Sequence, residues 1–188
     1  TETINGLSGT GTITKTTLGK RTLIVGDNNQ SSTFDGILDN GSGNFDFQKT
    51  GLGTLTLSSQ ANTYTGKTTI IFGSLSVTKL ANAGVTSSLG APVGPNAVIG
   101  IGAGIFAGIL TYIGTNASTD RAIDLSGTSG GALLDASGTG PLILTSDVQV
   151  NGAGSKSLTL MGSSAFTNTI LGVISNRSAS DIISVAKS

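Results

Sequence analysis

No cysteine, histidine or tryptophan occurs among the 188 residues. Without cysteine there is no disulfide framework and no thiolate metal site. Without histidine the commonest metal ligand and the commonest acid–base group near neutral pH are both missing. Charged residues make up only 11%, and ten Lys and Arg balance ten Asp and Glu. A nucleic-acid binder needs a basic patch, and no run of Lys or Arg supplies one. Aromatics are 4% and prolines number three. Neither a signal-peptide pattern nor an initiator Met opens TETING, which reads as a processed chain or a slice of a longer one.

What is abundant is small. Gly, Ser and Thr together supply roughly two-fifths of the chain, whereas Gly alone is ordinarily about 7%. Mean hydropathy is nevertheless +0.23, and Ile, Leu and Val recur throughout, so a disordered linker is excluded. Gly and β-branched residues both disfavour long helices. Short strand signals dominate: 9–14, 21–26, 53–59, 73–78, 109–114, 122–125, 132–136, 141–146 and 157–162. Most alternate an aliphatic residue with Thr or Ser, and Gly, Asn or Asp separates them, as in an all-β chain with frequent corners. At most one short helical segment has room to form, near 78–90, ended by Pro92 and Pro95.

Residues 97–114 carry no charge and contain overlapping G-x-x-x-G spacings. As a helix they would extend about 27 Å, barely a membrane span. Gly at 100, 102, 104, 108 and 114 argues against that reading. At period two, Ile99, Ile101, Ala103, Ile105, Ala107 and Ile109 share one face, so strand is expected and no membrane span.

A G-x-G element followed by alternating apolar residues recurs at Gly51/Gly53, Gly138/Gly140 and Gly152/Gly154, with a shorter echo at Gly9/Gly11. Gly36-Ile37-Leu38-Asp39-Asn40 reappears as Gly172-Val173-Ile174-Ser175-Asn176. Residues 36–171 therefore read as one large repeat unit and 172–188 as the start of another, within a single continuous segment 1–188. Repetition of short strands marks a solenoid, whose coils bury their inner faces only by stacking. A sandwich would use longer strands and more aromatic packing between sheets. Asn and Thr at the corners can hydrogen-bond from coil to coil, replacing charges that would repel in register.

The stretch KTGLGTLTLSSQANTYTGKTTIIFGSL (49–75) resembles the autotransporter-associated β-strand repeat of bacterial passenger domains. Lys49, Thr50, Gly51, Gly53, Thr54, Leu55, Thr56, Leu57 and Ser58 fall on its pattern, as do Asn62 to Gly66, Thr68 to Ile70, Gly73 and Leu75. Departures are an extra residue in 58–61, Lys67 in place of Gly, and Phe72 in place of a small residue. Residues 22–43 resemble the segment leading into such repeats, and 111–142 and 152–162 the spacers between them. The resemblance implies a right-handed parallel β-helix on or outside a bacterial cell, with structural roles and no catalytic residues.

Several patterns invite other chemistry. ANTYTGKT (61–68) is one residue short of a P-loop, but Thr68-Thr69-Ile70-Ile71-Phe72 reads as strand where a phosphate-binding helix should begin. It is expected to be a corner. Asp35, Asp39, Asn44 and Asp46 lack calcium-loop spacing and read as a solvated turn. Asp120-Arg121-Ala122-Ile123-Asp124 reads as a local ion pair rather than the acid cluster of a β-helical glycan-cleaving enzyme. The N-x-[ST] triplets at Asn29, Asn40, Asn116 and Asn176 occur at chance level.

The expectation is a right-handed parallel β-helix, all-β, of roughly eight or nine coils at about 20–24 residues each. It has no catalytic, metal or cofactor site. Expected partners are neighbouring copies or repeats by end-to-end stacking of coils, with surface glycans as a further candidate and no nucleic acid. Three functions follow: an extracellular shaft of a long passenger or adhesin, a subunit polymerising head-to-tail into a filament or sheath, and a glycan-binding or glycan-cleaving module. For the last, only Tyr64, Tyr112 and six Phe could line a sugar.

Overall fold

A computed structural model describes the whole chain, Thr1–Ser188. It is a parallel β-solenoid of about eight turns. The first face carries Glu2–Ile4, Arg21–Val25, Phe45–Lys49, Thr68–Ile70, Val98–Ile101, Ala122–Leu125 and Val148–Gln149. These strands open coils 1 to 7, and a Val148–Ile174 bridge opens coil 8. The second face stacks Ser32–Phe34, Thr54–Leu57, Gly73–Val77, Gly108–Tyr112, Ala132–Ala136, Lys156–Met161 and Ile183–Lys187. The third is divided: Thr12–Thr14 pairs with Ile37–Asp39, and Ala117–Thr119, Leu142–Leu144 and Thr169–Ile170 form a second group. All strand-to-strand pairing is parallel, which rules out an antiparallel sandwich.

Why these residues form these strands follows from the stacking. With a period of two, every second side chain points inward and meets its counterpart one coil away. Leu55, Leu75, Leu110, Leu134 and Leu160 make one such column, and Phe34, Leu57, Val77, Tyr112 and Ala136 the next. Burial of each large aliphatic or Phe side chain stabilises by about 1.5–3 kcal/mol, but only once the adjoining coil is in place. Outward positions on the second face hold Thr33, Thr56, Ser76 and Thr111, directly aligned. A charge at each of these places would repel its copy above and below.

The corners need glycine where coils approach most closely. Gly51 has φ +72°, and a Cβ there would lie 1.9 Å from the Gly26 carbonyl oxygen. No other residue fits without displacing the coil beneath.

One expectation changes. Residues 97–114 are not one alternating strand: Val98–Ile101 lies on the first face, Gly108–Tyr112 on the second, and an Ala103–Phe106 bridge turns between them. The corner shifts the phase, so Leu110 and Tyr112 point inward while Ile105 is 75% exposed. Residues 78–90 contain no helix; one 3-10 turn lies beyond them at Gly94–Asn96, where Pro95 suits its first turn. No helix is long and apolar enough to cross a membrane, which says nothing of a β-barrel.

Candidate functional site

The working parts of a solenoid are its coil-to-coil ties, and here they concentrate around the corners and one inserted loop. Hydrogen bonds link residues 20 to 27 positions apart along most of the stack. The Thr78 hydroxyl donates to the Ser58 carbonyl at the short end of that range, and Ile182 N–H donates to Ser155 Oγ at the long end. Asn side chains at corners do much of this. Asn29 accepts from Leu52 N–H, Asn40 exchanges two bonds with Thr65, and Asn168 accepts from Leu142 N–H.

ANTYTGKT is a corner, as its sequence indicates. Asn62 is wholly buried; its Oδ1 accepts from Leu38 N–H (2.9 Å) and its Nδ2 donates to the Ser88 carbonyl (2.8 Å). Tyr64 points into the core, stacked on Phe45 with centroids 5.2 Å apart and hydrogen-bonded to Thr68 Oγ1 at 2.7 Å. A Cβ on Gly66 would lie 2.0 Å from the Phe45 carbonyl oxygen, and the strand Thr68–Ile70 follows. No helix N-terminus faces this turn, so the phosphate-binding geometry is missing.

Lys67 turns to a different task. Its ammonium reaches Asp124 Oδ2 at 3.3 Å, two coils up the first face. Gly100 lies between them, and a Cβ there would come 3.2 Å from Lys67 Cε. The missing side chain is the channel along which Lys67 lies. Asp124 is buried and also accepts from Ser126 Oγ and Asn151 N–H.

The expected local ion pair at 120–124 does not form. Arg121 is 1% exposed and donates instead to the carbonyls of Leu89 (2.8 Å), Gly90 (2.8 Å) and Val85 (3.1 Å). Asp120 Oδ1 accepts from Ala83 N–H, and Thr119 Oγ1 donates to the Ala81 carbonyl. These bonds fasten residues 78–97, which stand where coil 4 would have a third-face strand. Nothing local in DRAID indicates this role, because its partners lie 31 to 38 positions away. The sequence signal that could have found it is the length of coil 4.

The Asp35–Asp46 group is distributed among separate ties. Asp35 accepts from Ser58 Oγ, Asp39 from Thr63 Oγ1 (2.6 Å), and Asp46 from Lys67 N–H (2.9 Å) while pairing with Lys20. Asn44 contributes a buried Oδ1 without a partner. Of the triplet asparagines, Asn29, Asn40 and Asn176 use their side chains on neighbouring backbone or side-chain groups. The echo at 36–40 and 172–176 occupies two places: Ile37–Asp39 is a third-face strand, whereas Ile174 bridges to the first face.

Two lysines lie inside as well. Lys49 stands in the inward column Val25, Lys49, Ile70, Ile101, Leu125 and is 1% exposed. Burial pushes its ammonium down from 10.5 to about 8. The folded protein thus holds that proton less tightly than the unfolded chain, and folding stability rises as pH climbs from about 8 towards 10.5. The buried Tyr64 hydroxyl, pushed upward by burial, acts in the opposite sense only above about pH 10, the ordinary tyrosine value. Urea midpoints at pH 7.5 and 9.5 should therefore rise in the native sequence and rise less in Lys49→Met. An equal rise in both would reject the assignment to Lys49.

Clefts lie at the first and last described coils. At one end Ile13, Leu23 and Phe45 floor a cleft of about 250 Å³ beside Lys15 and Arg21. At the other, Leu142, Leu144, Leu160, Phe166 and Ile170 line one of about 330 Å³.

Residues 47–77, from the first-face strand of coil 3 through the second-face strand of coil 4, match the family model described as passenger-associated-transport-repeat. The chain is also 35% identical over 191 residues to the "Adhesin BmaC autotransporter" of Brucella suis biovar 1 (strain 1330). That alignment takes in 98% of this chain but only 5% of the curated relative, so the chain spans about one-twentieth of its length. No solved structure matches. The chain carries a passenger-associated-transport-repeat at residues 47–77 and is similar over nearly its whole length to part of an autotransporter adhesin.

Proposed function

We propose that this chain is a non-catalytic, surface-exposed length of an autotransporter passenger, serving as a rigid shaft that holds other parts of an adhesin away from a bacterial cell. The observation that carries this is the unbroken parallel ladder on two faces with Thr and Ser aligned outside and aliphatic columns inside. Such a stack resists bending because every coil is bonded to both neighbours. The similarity to an adhesin supports it. So does the use of the inner charges, since Arg121, Asp124, Lys49 and Lys156 are all engaged in internal bonds rather than presented to a substrate.

A second reading is that separate chains stack head-to-tail into a filament. Exposed ladder ends carry unpaired backbone groups that another coil can satisfy. In both readings the partner is another set of coils.

Electron microscopy of the native surface material separates them. The shaft requires a rod that rises about 4.8 Å per coil, with density continuing through position 188 into further coils of one chain. Discrete chain ends meeting between bonded coils would establish the filament instead. Compact particles with no axial repeat would reject both.

A further inference from the structure

The G-x-G elements stand at different corners once the coils are assembled. Gly9/Gly11 and Gly138/Gly140 turn from the second face towards the third. Gly51/Gly53, Gly102/Gly104 and Gly152/Gly154 turn from the first face to the second, and of these only the first and last have a lysine two residues away. The order is mirrored. Lys49-Thr50-Gly51-Leu52-Gly53 reads K-x-G-x-G, and Gly152-Ala153-Gly154-Ser155-Lys156 reads G-x-G-x-K.

Both side chains end among carbonyl oxygens. Lys49 Nζ donates to Thr50 (2.5 Å), Gly51 (2.8 Å) and, one coil on, Phe72 (3.4 Å). Lys156 Nζ donates to Gly152 (2.8 Å), Gly154 (2.9 Å), Ala153 (3.1 Å) and, one coil back, Thr128 (3.3 Å). Neither has a carboxylate among its hydrogen-bond partners or salt bridges. Positive φ at Gly51 (72°) and Gly154 (89°) shapes these turns. Lys49 arrives from the strand before the corner, Lys156 from the strand after it. The feature common to both is therefore the cluster of backbone oxygens, not the position of the side chain.

We propose that the first-to-second-face corners at Gly51/Gly53 and Gly152/Gly154 are sockets for a desolvated monovalent cation, occupied in this chain by lysine ammonium groups that clip adjacent coils together. Carbonyl oxygens can replace the hydration shell of ammonium or potassium in the same way, and a compact ammonium fits such a cluster as a point charge. A buried charge is tolerated only when hydrogen-bonded, which the three or four oxygens provide. Truncating the side chain leaves those oxygens facing a space that a free cation of the same chemistry can enter.

The test is Lys156→Ala, with thermal midpoints in ammonium, potassium and tetramethylammonium chloride at one concentration, against the native sequence and Lys156→Met. Ammonium or potassium should raise the alanine variant by about 2–4 °C over tetramethylammonium, the shift expected for about 1 kcal/mol in a chain of this size. That difference should be absent from the native protein and from Lys156→Met, whose side chain fills the socket without charge. Equal midpoints in all three salts for the alanine variant would overturn the proposal. A measurement on the native protein stands independently of whether the variant folds. Nitrogen-detected NMR at pH 7 should show Lys49 and Lys156 as ammonium groups with slowed proton exchange, unlike exposed Lys20. Exchange as fast as that of Lys20 would overturn the proposal equally.

Discussion

Arg121→Ala is expected to release residues 78–97 from the stack and to destabilise the fold by about 3–5 kcal/mol, within the range for breaking a buried charged hydrogen-bond network. The guanidinium is held by three carbonyls of one loop, at Val85, Leu89 and Gly90. Alanine would leave those oxygens buried without donors and remove the largest fully buried side chain in the protein. Arg121→Lys should recover only part of the loss, because an ammonium cannot reproduce the planar fork that reaches Leu89 and Gly90 together. Two readings check the claim: the urea midpoint and the sites of limited proteolysis. New cleavage confined to 78–97, ahead of global unfolding, is the expected outcome. A midpoint shift without early cleavage in the loop would mean that Arg121 supports the coils and not the insertion.

Tyr64→Ala should have a comparable effect, about 3–5 kcal/mol, as for other large aromatic truncations in a core. Tyr64 is 0% exposed, stacks on Phe45 and approaches Phe47 at 6.0 Å between centroids. Tyr64→Phe keeps the ring and gives up the bond to Thr68, for about 1 kcal/mol. If Phe and Ala variants unfold at the same urea concentration, the hydroxyl rather than the ring is the important part. The two largest effects are also coupled. The Tyr64 carbonyl accepts from Ala91 N–H, a Cβ on Gly90 would lie 2.9 Å from the Tyr64 ring, and Arg121 holds the Gly90 carbonyl. The double variant should therefore lose less than the sum of the single losses, because either change alone already loosens the same loop.

Much of the architecture is legible in the residues because strand, corner and burial are local patterns. The alternation in Thr54–Leu57 and Ala132–Ala136 shows inward and outward positions directly. The Gly, Asn and Asp between strands mark the turns, and Asn corners do bond between coils. ANTYTGKT reads correctly as a corner since no helix-forming run follows it. Less visible were strands of two or three residues such as Val148–Gln149 and Ala117–Thr119, too short to show a period. The phase change within 97–114 was also hidden, because alternating Ile and Ala or Gly continues unbroken through a sharp corner.

By itself the sequence determined that the chain would be all-β, coiled and poor in charge. Period-two aliphatic columns and small corner residues admit little else, and the 49–75 pattern points to the family. Only the tertiary structure decided where the few interior charges go. Lys67 meets Asp124 across 57 positions, Arg121 meets Leu89 across 32, and each depends on how many residues coil 4 inserts before the stack resumes. A charge buried in a solenoid is satisfied by whatever the adjacent coil brings beside it, so its partner is a property of the register between coils and not of its own neighbours in the chain.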